Sequence, residues 1–313
     1  MLTKKQLEER EGKIFSTDAA AALGVSKYRT PYQLWAEKIG LAPRDEEEEE
    51  KPWQIIGSAV EPAIATLYTR QTGRPVGLFK ETLTHELHPW MGSHFDYLAD
   101  DRLVEIKFFD PRRRAEFGEP GSADIPNDVL VQAIHEMVVS DMQRCDVAVL
   151  FGNQAFEVFS VALEQKDADE LIEREYQFMR YIIDREPPPP MSDDDLKAMF
   201  PRSVEETVTA TDEIMQAVRE SRLLGTRIDE LEDARKATSM VIKGFMGDNA
   251  KLVAPDGSVL ATWRSAKDSV AVDWEQLAGD ARGYVADPVW EKYLAAATTT
   301  KPGSRRFIIK EEK

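Results

Sequence analysis

The sequence predicts an α/β protein, with a mixed sheet between helices over residues 1–186 and a long helix with a small β segment as an appendage over residues 187–313. Three observations carry this. Two short alternating runs within Met91–Phe109 meet at the acidic pair Asp100-Asp101, the pattern of a β-hairpin. A stretch with helical period, 126–142, then leads to two further strand runs, 146–151 and 156–163, on either side of Gly152-Asn153. Finally, the prolines at 187–190 end the mixed region stiffly, and the helical period resumes over 204–246. This order gives mixed strands rather than a regular βαβ repeat.

Taken in chain order, Ser16-Thr17-Asp18 ahead of Ala19–Leu23 and Gly24 reads as a capped short helix stopped by glycine. Thr30 caps a second helix, Tyr32–Ile39, with Pro31 in its first turn and Gly40 at its end. The run Asp45–Glu50 is solvated. Trp53–Gly73 has helical spacing at Ile56, Val60, Ile64, Leu67 and Tyr68, and Pro62 predicts a kink or restart beside Glu61. Pro75–Phe79 is a strand candidate. On the helix over 126–142, Val129, Ala133, Met137 and Ser140 line one face while Gln132 and Glu136 share another. A further helix spans Glu164–Arg185.

Beyond the prolines, the stripe Ile214, Val218, Leu224, Ile228 and Leu231 within Val204–Met246 fits an amphipathic hairpin or a coiled coil. Ala250–Arg264 turns at Pro255-Asp256-Gly257, and Arg305-Arg306-Phe307-Ile308-Ile309-Lys310 forms a basic and aromatic tail.

The 313 residues are 42% apolar and 9% aromatic, enough for a substantial core plus an appendage. The single cysteine, Cys145, excludes a disulfide framework and a four-cysteine zinc or iron–sulfur site. Met1–Glu11 is charged and no run is long enough to cross a bilayer, so the expectation is a cytoplasmic protein in a reducing setting, with no membrane partner. The net charge of −17 argues against a polyanionic partner. Much of that charge is local, however, and Arg112-Arg113-Arg114 supplies a basic cluster.

Chemistry concentrates at Asp96 and Glu105-Ile106-Lys107. If Asp100-Asp101 turn the hairpin, the two-residue period sends Glu105 and Lys107 to one face and Ile106 to the other, and Asp96 faces them from the neighbouring strand. Two hard carboxylates suit Mg²⁺ or Mn²⁺, and a lysine beside them can orient or deprotonate water. Taken alone, the same spacing fits a solvated acidic turn followed by an exposed Glu–Lys pair.

The context is more specific. Glu61 in Gly57-Ser58-Ala59-Val60-Glu61-Pro62, Gln132 in Val131-Gln132-Ala133-Ile134-His135, and the hairpin residues stand in an order that resembles the YqaJ-like viral recombinase family, in the lambda-exonuclease branch of the PD-(D/E)xK nucleases. Ile14–Asp18 and Leu23–Trp35 resemble that family's N-terminal segment, and the resemblance covers roughly residues 10–185.

It implies a restriction-endonuclease-like core and a 5′→3′ exonuclease of phage or prophage recombination acting on double-stranded DNA ends. Two Mg²⁺ or Mn²⁺ ions would be held by Asp96, Glu105, Glu61 and the carbonyl of Ile106. Lys107 would be the catalytic lysine, and Gln132 would position groups near the attacking water. A single-strand annealing protein and a homo-oligomer, a trimer in the family, are the implied partners. The resemblance also gives Arg10, Ser16 and Thr17 to a DNA 5′-phosphate, although a routine helix cap explains Ser16 and Thr17 equally well.

Phe95 and Tyr97 depart from the family's small residues around the first aspartate. Tyr97 either packs on the sheet or stacks near a base, and the role of His94 stays open. Two rivals remain: an endonuclease on the same fold, and a non-catalytic DNA- or partner-binding protein.

Overall fold

The structure, a computed structural model, describes residues 10, 12–43, 51–79, 81–269, 271–299 and 307–309. It divides into two compact units, Met1–Phe200 and Pro201–Lys313. The acidic run 45–50 and Arg305-Arg306 of the tail lie outside the described residues.

The first unit is built on a five-stranded mixed sheet of β2 (Gly77–Leu78), β5 (Tyr97–Ala99), β6 (Arg102–Phe109), β7 (Arg144–Phe151) and β8 (Ala155–Ala162), in that spatial order. β5 and β6 form the expected hairpin, with Tyr97 opposite Val104 and Ala99 opposite Arg102. β6 and β7 run parallel, so the chain must cross over between them. The crossover carries a 3₁₀ turn, Pro111–Glu116, and the helix α4 (Asn127–Ser140). A smaller sheet joins β1 (Ile14–Phe15), β4 (Met91–His94) and β3 (Thr82–Thr84). Phe15 pairs with Gly92, and a β-carbon at Gly92 would meet the Phe15 ring at 2.9 Å, so only glycine fits there.

Alternation along β6 decides which helix covers which residue. Leu103 faces a core shared with Val129, Ala133 and Met137 of α4 and with Val147, Val149 and Phe159 of the sheet. Val104 and Ile106 face the other way, onto Ile64, Ala65 and Tyr68 of α3 (Pro52–Thr72). Each such buried side chain contributes about 1.5–3 kcal/mol, enough to hold both helices in register on the sheet. α3 runs unbroken through Pro62, against the expected restart. A proline inside a helix lacks the N–H for residue i−4 and costs about 3 kcal/mol, a penalty offset here by the burial of the residues that follow it.

A buried polar knot pins the far end of the sheet. Asp146 of β7 accepts from Arg102 at 3.2 and 3.3 Å, from the Tyr68 hydroxyl at 2.7 Å and from Ser160 at 2.7 Å. Each oxygen of this buried carboxylate is therefore satisfied.

α1 (Ser16–Ala22), α2 (Pro31–Lys38) and α5 (Gln165–Asp184) share a third core, made by Ile14, Ala21, Leu34, Trp35, Phe178 and Met179. Thr30 caps α2 as expected, accepting the Gln33 N–H. α1 differs from expectation. Phe15 holds the cap position, Ser16 and Thr17 are already helical, and it is the Asp18 carboxylate that accepts the Phe15 N–H at 3.2 Å.

The compact unit extends past the prolines to α6 (Asp193–Met199), whose Asp195 accepts the Thr30 hydroxyl at 2.8 Å. The first compact unit ends after Phe200 and so includes α6.

The second unit holds α7 (Asp212–Met246), the hairpin β9 (Lys251–Val253) and β10 (Val259–Thr262), and two helices, α8 (Trp274–Arg282) and α9 (Asp287–Ala297), that the sequence reading did not foresee. Among the described residues no helix is long and apolar enough to cross a membrane.

Candidate active site

Glu105 and Lys107 leave β6 on the side covered by α4, next to Leu103, while Ile106 leaves on the α3 side. The two-residue strand period thus makes the juxtaposition that the hairpin predicted. Glu105 is buried at 3% exposure, and the Lys107 ammonium lies 2.6 Å from its Oε1.

Gln132, on the second turn of α4, meets both. Its Oε1 accepts from Lys107 Nζ at 2.9 Å, and its Nε2 donates to Glu105 Oε1 at 2.6 Å. An ammonium carries only donors, so the amide oxygen is the end that must face Lys107.

Asp96 reaches the same place by a different route. It sits in the bend between β4 and β5, one residue before the hairpin pairing begins, and its Oδ2 accepts the Ile106 N–H at 2.9 Å. In a strand the N–H and C=O of one residue point to the same edge. The Ile106 carbonyl therefore shares the edge on which Asp96 lies.

Glu61 belongs to the α3 face that also carries Ile64, Ala65 and Tyr68, spaced three, four and seven residues on. Burial first and the Glu105 charge second raise its carboxyl above the ordinary value, and Lys107 opposes that rise. Asp96 is raised further, by burial and then by Glu105. Burial works against the charge on Lys107, yet Glu105 and Asp96 outweigh it and lift its ammonium above the ordinary lysine range.

One acidic group escaped the sequence reading as a site residue. Glu136, one helical turn after Gln132, is 1% exposed and accepts from Gln132 Nε2 at 3.0 Å. Burial, then Glu105, pushes its carboxyl well above the ordinary range. The available signal was its i+4 spacing from Gln132 on the same helix face.

Asp96, Glu105 and Glu136 thus act on one ammonium, and Glu61 feels the charges of both Glu105 and Lys107, an electrostatic excess of carboxyl groups that suits a divalent cation. Among the described residues no three Asp, Glu, His or Cys side chains are close enough together to enclose an ion alone. The donor set of Asp96, Glu105 and a backbone carbonyl nonetheless fits Mg²⁺ or Mn²⁺, which are held by one or two carboxylates and complete their shell with water and phosphate oxygens.

The residues around Asp96 are occupied structurally. His94 Nε2 meets the Thr82 hydroxyl at 2.8 Å, and its ring stacks on Phe15 with centroids 5.0 Å apart. Tyr97 pairs with Val104 and packs with the α3-side core.

The N-terminal candidates form a separate cluster around buried Asp18. Arg10 Nη2 donates to the Thr17 hydroxyl at 3.0 Å and to Asp18 at 3.4 Å, and its guanidinium lies 4.6 Å from the centre of the Phe15 ring. Arg29 and Lys38 reach Asp18 at 2.8 and 2.6 Å. Burial raises the Asp18 carboxyl, but Lys38, Arg10 and Arg29 together hold it well below the usual carboxylate range. Arg10 and Thr17 are brought together by a hydrogen bond, while Arg10 and Ser16 are both buried, at 7% and 3% exposure.

Comparison with known proteins agrees with the motif order. Residues 5–143 match the YqaJ-like viral recombinase domain. An uncharacterized protein YqaJ of Bacillus subtilis (strain 168) is 26% identical over 176 residues, 55% of this chain and 53% of that one. The chain therefore spans about half the length of the curated relative it matches. Among solved structures, an alkaline exonuclease from Laribacter hongkongensis is similar over 59% of this chain and 94% of its own, at 18% identity and a TM-score of 0.48. A phage related exonuclease from Haemophilus somnus 129PT is similar over 55% of this chain and 94% of its own, at 11% identity and a TM-score of 0.44.

Proposed function

From the match of residues 5–143 to the YqaJ-like viral recombinase domain, we propose that this chain is a divalent-metal-dependent deoxyribonuclease that degrades linear duplex DNA from its ends. The observation that carries the reading is the convergence of Glu105 and Lys107 on Gln132, with Asp96 anchored on the backbone N–H of the residue between them. The polarity is 5′→3′, the products are 3′ single-stranded tails for an annealing protein, and the setting is phage or prophage recombination in the cytoplasm. These finer features rest on the family resemblance, as does assembly into a homo-oligomer.

Asp96, Glu105, the Ile106 carbonyl and Glu61 would hold the metal, two Mg²⁺ or Mn²⁺ ions. When bound, the metal supplies Lewis acidity toward a phosphoryl oxygen and a more acidic water. The chain's own groups do the remainder. Lys107, held as an ammonium by Glu105 and Gln132, faces the negative charge that develops on the phosphoryl group during in-line displacement. Gln132 fixes Lys107 and Glu105 relative to one another and lies where it can orient the attacking water. Ile106 restrains Asp96 through the strand, so a side chain from a bend is placed with the precision of a sheet. Arg10 and Thr17, joined by their hydrogen bond, form the contact for a terminal 5′-phosphate.

The test is degradation of end-labelled linear duplex with and without Mg²⁺, alongside a covalently closed duplex. Metal-dependent loss of the linear substrate alone supports the reading. Nicking of the closed substrate at a comparable rate points to an endonuclease, and inertness toward both points to a binding protein.

A further inference from the structure

We propose that Glu136 is a positioning residue for this reaction: its buried carboxylate fixes which way the Gln132 side-chain amide faces, and so presents an oxygen to Lys107 and a nitrogen to Glu105. The inference rests on the nuclease reading of the site.

The argument is one of donor and acceptor counting. A glutamine amide has two N–H donors on one end and an acceptor oxygen on the other, and the two ends are almost identical in size. A flip therefore costs little in packing and is decided by hydrogen bonds. With Glu105 at 2.6 Å and Glu136 at 3.0 Å from Nε2, both amide hydrogens have a carboxylate acceptor. The flipped amide would set its oxygen against two carboxylates and its NH₂ against an ammonium.

Glu105 alone is a weak guide once it turns its charge toward a metal. Glu136 does not face that choice, because it lies on α4 at 1% exposure and its bond to Gln132 stays within the helix, one turn along. The arrangement also gives a reason for burying a carboxylate under an apolar helix, a costly placement that packing alone would not favour.

Glu136→Met keeps the volume and removes the acceptor. Loss of an outer partner of this kind costs about 10–100-fold in activity or metal affinity. We expect kcat to fall by that factor with KM for DNA nearly unchanged, Mn²⁺ affinity measured by electron paramagnetic resonance to weaken, and thermal stability to hold or rise. A purely structural residue would give the opposite pattern, lower stability with kcat retained in the folded fraction.

A second pair of variants separates hydrogen bonding from charge and serves if Glu136→Met does not fold. Glu136→Gln keeps an acceptor at the same reach, whereas Glu136→Asp keeps the charge and withdraws it by one methylene. Activity in the order Gln above Asp supports the proposal, and Asp equal to or above Gln overturns it. Glu105→Gln run in parallel tells the two failures apart. If Glu105→Gln is inactive while Glu136→Met matches the parent in kcat and Mn²⁺ affinity, the positioning role is wrong. If Glu105→Gln is active, the nuclease site itself is misassigned and the positioning role falls with it.

Discussion

Ile106 donates its backbone N–H to the Asp96 carboxylate at 2.9 Å, so a residue outside the hairpin ladder is fixed by the strand that carries Glu105 and Lys107. Asparagine at 96 can still accept that bond. We therefore expect Asp96→Asn to fold, and to lose cleavage by on the order of 10³-fold, the equivalent of several kcal/mol of Lewis-acid stabilisation. It also removes one of several crowded carboxylates, so the metal-free variant should be more stable than the parent by about 1 kcal/mol. Calorimetric melting with and without Mg²⁺ checks this: the parent should gain stability on adding metal and the variant little.

Lys107 lies between Glu105 and Gln132 within the site. Lys107→Ala should lower the single-turnover rate by about 10²–10³-fold, the usual cost of losing a transition-state charge stabiliser, while DNA affinity changes less than tenfold. Rapid-quench kinetics and a binding titration in Ca²⁺ separate the two. A drop in affinity alone would make Lys107 a phosphate clamp.

Arg10 is held by Thr17 and Asp18 beside the start of α1. Linear duplex with a 5′-phosphate should be degraded faster than the same duplex with a 5′-hydroxyl, and Arg10→Ala should shrink that ratio. Equal initial rates on the two substrates with the parent protein would remove the phosphate contact from the scheme.

Asp18 offers a pH signature distinct from the active site. Lys38, Arg10 and Arg29 overcome burial and hold its folded pKa below the unfolded value of 3.8. The native state then binds fewer protons than the unfolded state between those two values, so this contribution is present above about pH 4 and is lost as pH falls through the folded pKa. Asp18→Asn leaves those cations without their shared partner and should destabilise by about 3 kcal/mol or more at pH 7. Urea denaturation from pH 7 down to pH 3 should show a constant gap between the parent and the variant down to about pH 4 and a gap that begins to narrow below it.

α6 belongs to the first unit through the Thr30–Asp195 hydrogen bond. A chain ending after Phe200 should melt higher than one ending after residue 186, which loses that bond. Melting curves of the two truncated chains, with and without Thr30→Ala in both so that loss of the α2 cap cancels, test whether this contact is responsible.

Much of this protein is written locally. The two-residue period set Glu105 and Lys107 on one face of β6, and the helical period set Ala133 and Met137 of α4 into the core. Thr30 and Pro31 marked the start of α2. These are short-range rules, and they need no knowledge of the partner element.

What the tertiary structure alone decided depends on contacts between distant segments. Pro62 signals a break, yet α3 continues because Ile64, Ala65 and Tyr68 bury against a sheet formed much later in the chain. Ser16 and Thr17 look like caps, but Asp18 takes that task while it gathers cations from two other segments. Glu136 shares a helix face with Gln132 in the sequence, but its burial and its bond to Gln132 follow only once β6 places Glu105 and Lys107 against that face. Burial and a shared hydrogen-bond partner are properties of a packed interior, and the order of residues along one helix does not contain them.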